Sequence, residues 1–127
     1  MKSFVRKLCA GLVCACGMSV SVYATDYYVA TDGNDMNVGS IEKPFATLSK
    51  ALKLVQPGDN IYLRGGEYNV TEDWIMDKSG NKTYAKVFDI KQKGSPSSPI
   101  CVIGYENERP VLNMEQIKLT DRRVAVF

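Results

Sequence analysis

Apolar side chains recur three and four residues apart between positions 44 and 55. Leu48, Ala51, Leu52 and Val55 share one face and Lys50 and Lys53 the other, which predicts an amphipathic helix over Pro44 to Val55 lying as a lid on a core. Thr47 or Ser49 can cap its start, Pro44 suits the approach, and Pro57-Gly58 ends it. Elsewhere the period is two. Tyr27-Tyr28-Val29-Ala30 reads as a short strand. Asn60 to Arg64 alternates, with Ile61 and Leu63 opposed to Tyr62 and Arg64. Glu67 to Val70 resumes the extended pattern after the Gly65-Gly66 bend. Val87 to Lys91 alternates again, placing Phe88 and Ile90 on one face. Ile100 to Tyr105 is the most apolar strand, and Val111-Leu112 begins another.

Between these runs lie polar turns. Thr31 to Ser40 carries Asp32, Gly33, Asn34, Asp35, Asn37 and Gly39, residues that close turns with their own side chains. A calcium loop is the rival reading, but Met36 stands where such a loop needs an oxygen ligand. Lys78 to Lys86 reads as a protruding loop, and Gly94 to Pro99 and Glu106 to Pro110 as turns.

The first residues follow a different rule. Lys2, Arg6 and Lys7 precede an uncharged run from Leu8 to Val22, and Val22-Tyr23-Ala24 follows. This predicts a secretory signal peptide over residues 1–24, cleaved after Ala24, with residues 25–127 as one domain unit. The apolar run is shorter than the roughly 20 residues of a membrane span. Lipoprotein processing at Cys16 is a second variant, with Cys14 ill-suited to the preceding box. Loss of the leader removes three cationic side chains and turns a formal charge of +2 into −1. It also leaves Cys101 as the single cysteine, so no intrachain disulfide is expected. Within Ile100-Cys101-Val102-Ile103 this thiol reads as a small buried apolar group.

Composition narrows the chemistry. With 45% hydrophobic and 24% charged residues the chain is globular in type. The absence of histidine excludes Ser/His/Asp and Cys/His nucleophilic sites and His-ligated metals. The small net charge, without a basic stripe, excludes nucleic acid as the expected partner. Five or six short strands, turns every 10 to 12 residues and one leading helix fit a β-solenoid better than a sandwich, which needs about seven strands.

Certain residues carry a resemblance. They are Tyr27-Tyr28-Val29 with Gly33, Asp35 and Gly39, then Lys43 to Leu48 with Ala51, then Pro57-Gly58-Asp59 with Ile61 to Gly66 and Tyr68. Gly94, Pro99-Ile100, Tyr105 and Glu108 to Leu112 follow in order. The stretch from Asp26 to Asn113 resembles the N-terminal end of secreted right-handed parallel β-helix proteins, above all the pectate lyases of polysaccharide lyase family nine. The resemblance implies an all-β, pectin-lyase-like right-handed parallel β-helix, of which this chain holds the N-terminal capping helix and first coils only. It implies calcium-dependent β-elimination on polygalacturonate-type polyuronates. In that chemistry a lysine base removes the proton beside the uronate carboxylate, and calcium held by aspartates stabilises the developing charge. Those residues belong to central coils, and no stretch here matches them. No catalytic residue and no metal ligand is therefore assigned, and substrate-binding residues stay open. The chain is expected to be inactive by itself, to stop within the second or third coil, and to derive from a secreted or cell-envelope protein, bacterial by its leader and resemblance. An acidic, pectate-like polysaccharide is the implied partner. The alternatives are a non-catalytic secreted β-helix protein for surface adhesion or glycan binding, and a complete small glycan-binding module.

Several residues have a functional and a plainer reading. Glu72, Asp73 and Asp77 around Trp74 can form a sugar or cation subsite, or the solvated rim of a buried aromatic. Arg64 can meet an acidic sugar or pair with Glu67. Tyr27, Tyr28, Tyr62 and Tyr68 can form a sugar platform, though their alternation suits wall packing. Asn69-Val70-Thr71 and Asn81-Lys82-Thr83 are glycosylation acceptors in a host that glycosylates.

Overall fold

Parallel pairing at long sequence separation organises the chain. A computed structural model describes residues 23–78, 84–118 and 123–126. The leader up to Val22 and the acceptor Asn81-Lys82-Thr83 lie outside the described residues. Strand β1 (Asp26–Val29) pairs with β2 (Asn60–Leu63), which pairs with β5 (Cys101–Gly104). Strand β3 (Gly66–Asn69) pairs with β6 (Pro110–Asn113), and β4 (Tyr84–Lys86) with β7 (Arg123–Ala125). All these ladders are parallel. The strands β2, β3 and β4 make one coil and β5, β6 and β7 the next, stacked in register. A coil has little interior of its own, so the core forms between coils and under the cap.

The cap is helix α1 (Leu48–Leu54). Leu48, Ala51, Leu52 and Val55 are buried, as the periodicity predicts. The helix starts later than Pro44. Phe45 is held in an extended bridge beside Val29, with Phe45 N–H donating to the Tyr28 carbonyl at 2.9 Å and Ala30 N–H to the Phe45 carbonyl at 2.9 Å. Thr47 is the cap: its hydroxyl accepts from Lys50 N–H at 3.2 Å. Asp35 reaches across from the preceding loop and fastens this corner. It accepts from Ala46 N–H, Thr47 N–H and the Thr47 hydroxyl at 2.9, 2.9 and 2.7 Å. The Asn34 side chain accepts from Met36 N–H at 2.9 Å. These two loop side chains therefore serve the backbone, in keeping with the turn reading.

Two strand expectations are corrected. Val87 to Lys91 forms no strand. Val87 N–H donates to Ala125 at 2.8 Å and Phe88 N–H to Val126 at 3.0 Å. The chain turns a corner there, so Val87 and Phe88 are both buried while Ile90 is exposed. Extended pairing falls just before, on β4. Cys101 is half-buried rather than buried. It lies on β5, at the end of its three-stranded ladder, where Val102 and Ile103 are 38% and 40% exposed. Those side chains need a further neighbour to be covered, whatever their hydropathy.

Candidate functional site

The wall outside the core carries two polar-aromatic clusters. The first gathers around Trp74, which ends a 3-10 turn over Glu72–Trp74. Its carbonyl accepts from the buried Ser49 hydroxyl at 2.7 Å, tying the cap to the first coil. The ring is half-buried and meets Phe88 edge-on, with centroids 6.3 Å apart. A cavity of about 270 Å³ opens beside it, with Asp35, Lys50, Lys53 and Asp73 on its walls. Trp74 also borders a second cavity, of about 320 Å³, that reaches Thr31 and Glu67. Lys53 continues into a third, of about 310 Å³, beside Met76, Lys91 and Gln92. An aromatic surface flanked by ammonium groups and hydroxyl acceptors matches a sugar ring bearing a carboxylate.

The acids around Trp74 do not converge. Glu72 pairs with Lys78 at 3.7 Å, and Asp77 joins Lys86 through a backbone bridge, donating and accepting at 3.2 and 2.9 Å. Of these three acids, Asp73 lines the cavity, together with Asp35 from the loop. Among the described residues no group of three His, Cys, Asp or Glu side chains stands ready to hold a metal. Lys50 and Lys53, which the periodicity assigned only to the polar face of the helix, are the residues that the fold brings to Trp74. No local signal links positions 50 and 74; only the docking of helix on coil does.

The second cluster is structural. The Arg64 guanidinium makes a two-pronged contact with Glu108, each bond 2.8 Å, and Gly65 N–H adds a third at 2.7 Å. The expected Arg64–Glu67 pair is absent, because Glu67 instead accepts from the Asn113 amide at 2.7 Å. Position 108 stands one coil above position 64, a neighbour that only parallel stacking supplies. The Arg64 hydrogen bonds hold the Glu108 carboxyl down at about 2, and the same hydrogen bond raises Arg64 above its ordinary range. Arg64 also lies 4.8 Å from the Tyr105 ring centroid. Tyr28 and Tyr62 stack face to face at 5.3 Å, and Tyr105 closes on both edge-on. Faces that cover one another are not a sugar platform. Tyr68 is buried, its hydroxyl within 2.9 and 2.7 Å of the Val29 and Arg64 carbonyls, and burial first of all pushes it up to about 12. Tyr27 stacks on Phe45 at 5.9 Å. The tyrosines thus serve wall packing, as their alternation implied, with Tyr28 and Tyr62 on the outer face.

This lock has a pH signature. The carboxyl of Glu108 lies lower in the folded chain than its ordinary 4.5. Its contribution is therefore complete above that value and is lost as pH falls towards about 2. Thermal melts between pH 6 and pH 2 are expected to show a decline that Glu108→Gln reduces. An unchanged acid limb in that variant sinks the assignment.

Three parallel ladders beneath a capping helix define the class as a parallel β-helix. A family model described as "Pel9A-like, right handed beta helix region" matches residues 27–125, and the chain belongs to that family. It is 30% identical over 97 residues to pectate lyase PEL9 of Emericella nidulans, covering 76% of this chain and 20% of that protein. It is 36% identical over 95 residues to pectate lyase L of Paenibacillus polymyxa, covering 75% and 18%. A solved structure described as a rhamnogalacturonan lyase is 32% identical with a TM-score of 0.73, covering 80% of this chain and 24% of that one. The chain spans no more than about a fifth of the length of the curated relatives it matches.

Proposed function

We propose that this chain is the capping end and first coils of a secreted polysaccharide lyase. Its substrate is an acidic, polygalacturonate-type polymer, cleaved by calcium-dependent β-elimination, and residues 1–24 are the export leader. The single observation that carries the reading is the family match across residues 27–125, supported by relatives whose names are pectate lyases. Among the described residues no group of three His, Cys, Asp or Glu side chains stands ready for calcium, and the proposal assigns no catalytic step to this stretch. Its part is mechanical and adhesive. The cap seals the end of the core, and the Trp74 furrow, with Lys50 and Lys53, offers the polymer an outlying contact.

The test uses two readouts on polygalacturonate with calcium. The 127-residue chain is expected to form no unsaturated product, whereas a longer gene product containing it forms product and loses activity to a chelator. Because Trp74 is the single tryptophan, its fluorescence reports oligogalacturonate at the furrow directly. Robust turnover by the short chain overturns its inactivity. A longer product that binds polyuronate without cleaving it moves the assignment to surface adhesion.

A further inference from the structure

Asp59 is an acid held out of water without a counter-charge. It is 4% exposed, and among the described residues no Lys or Arg ion pair includes it. Its Oδ2 accepts from Gln56 N–H at 2.8 Å. Its Oδ1 accepts from the backbone nitrogen of Thr25 at 2.8 Å. Both donors are neutral backbone N–H groups, so the site supplies hydrogen bonds to the acid but no opposite charge. Thr25 is also fixed from its other side, since Asn60 N–H donates to its carbonyl at 2.9 Å. Immediately before it, Tyr23 and Ala24 are exposed, so the bond between Ala24 and Thr25 is open to attack while its nitrogen points at the acid.

We propose that the Ala24–Thr25 bond is the maturation site and that the α-ammonium released there becomes the counter-ion of Asp59. The inference rests on the proposed export leader. A host endopeptidase of the signal-peptidase class supplies the cut. One water is consumed, the C–N bond breaks, Ala24 leaves as a carboxylate and Thr25 keeps a protonated amine. A neutral, half-buried hydrogen bond is thereby exchanged for an ion pair at the edge of the core that exists only in the processed chain. Processing then stabilises the edge strand β1, to which the cap is attached, at the moment the leader is shed.

The sign of the pH dependence follows. An α-amine has an ordinary value of about 7.7–8.0, and a carboxylate partner raises it in the folded chain. The added stability is present below the ordinary value and is lost as pH rises through the raised one. Other titratable groups face this corner. Asp26 and Tyr27 lie on β1, where Asp26 accepts from the Asn60 amide. Cys101 lies on β5, its N–H donating to the Asp59 carbonyl at 3.2 Å.

The full chain is expressed in a secreting host, and the recovered protein is sequenced from its N-terminus. A start at Thr25 is expected. A start elsewhere, or a blocked lipidated Cys16, overturns the maturation site. With Thr25 first, the α-amine pKa is read by ¹⁵N NMR and thermal melts are run from pH 6 to pH 10. A raised amine value is expected, with a Tm decline of about 5 °C on the alkaline side that Asp59→Asn abolishes. If that variant does not fold, acetylation of the α-amine on the folded protein removes the charge instead and is expected to lower Tm at pH 7 by a similar amount. An amine that titrates at its ordinary value, or an alkaline limb that neither change alters, overturns the ion pair while leaving the cleavage site standing. Neither result touches the lyase assignment, which turnover decides.

Discussion

Phe45→Ala is expected to cost about 3–5 kcal/mol, a large part of the 5–15 kcal/mol that holds a typical domain folded. The ring is 1% exposed and belongs to the main apolar cluster. It does more than fill space. It stacks on Tyr27 and stands where the loop, β1 and the start of α1 meet. Gly39 has φ +82°, and a Cβ built there falls 2.4 Å from Cε2 of this ring. The loop is thus shaped around the phenyl group, and its removal leaves a cavity that the glycine corner cannot refill. Urea unfolding followed by far-UV circular dichroism measures the loss. A cost below about 1 kcal/mol would mean that the cap relaxes freely onto the first coil and is not closely packed against it.

Gly33→Ala is expected to be nearly as severe, about 3 kcal/mol or more, through backbone contact rather than a cavity. A Cβ at this position lies 2.1 Å from the Phe45 carbonyl oxygen and 2.9 Å from that of Pro44. Neither atom is the end of a flexible side chain. Relief requires the loop and the Pro44–Phe45 segment to part, which strains Asn34 N–H to Pro44 O at 3.0 Å and Ala30 N–H to Phe45 O at 2.9 Å. Gly58→Ala is the useful contrast. Its nearest contact is the Ser98 Cβ at 3.8 Å, so it carries only the strain of its positive φ, about 1 kcal/mol. Equal losses in the two variants, in parallel urea titrations, refute the backbone clash. Both severe variants disturb one corner, so their costs are not expected to add.

Much of this fold is legible in the chain itself. The face Leu48, Ala51, Leu52 and Val55 is the buried face of α1. Ile61 and Leu63 point inward from β2 while Tyr62 does not. Local periodicity reaches these because each depends on neighbours within two to four positions. It fails where a distant strand intervenes. Phe45 looks like the first turn of a helix until Val29 pairs with it. Phe88 and Ile90 look like one strand face until the corner at Ala125 and Val126 turns the backbone. Arg64 seems made for Glu67, three residues away, until the next coil sets Glu108 above it.

The candidate site divides in the same way. Trp74 and its acidic neighbours stand out in the chain, yet the cations that give the furrow its character come from the helix some 20 positions earlier. Asp59 belongs to the residues that carry the family resemblance, yet nothing local marks it as buried, since an Asp after Pro-Gly reads as an ordinary turn residue.

By itself, then, the sequence determined the amphipathic cap, the strands β1, β2, β3, β5 and β6 and the ordered pattern of a β-helix front end, but not β4, which lies inside the stretch Lys78 to Lys86 that reads as a loop, nor β7. These follow from side-chain period and backbone preference, which act over a few residues. Tertiary structure alone decided which residues share a coil position, and so which charges meet. Arg64 with Glu108, Lys53 with Trp74 and Thr25 with Asp59 are each separated by 21 to 44 positions. Parallel stacking sets the first and third of these and the docking of helix on coil the second, arrangements that no local pattern encodes.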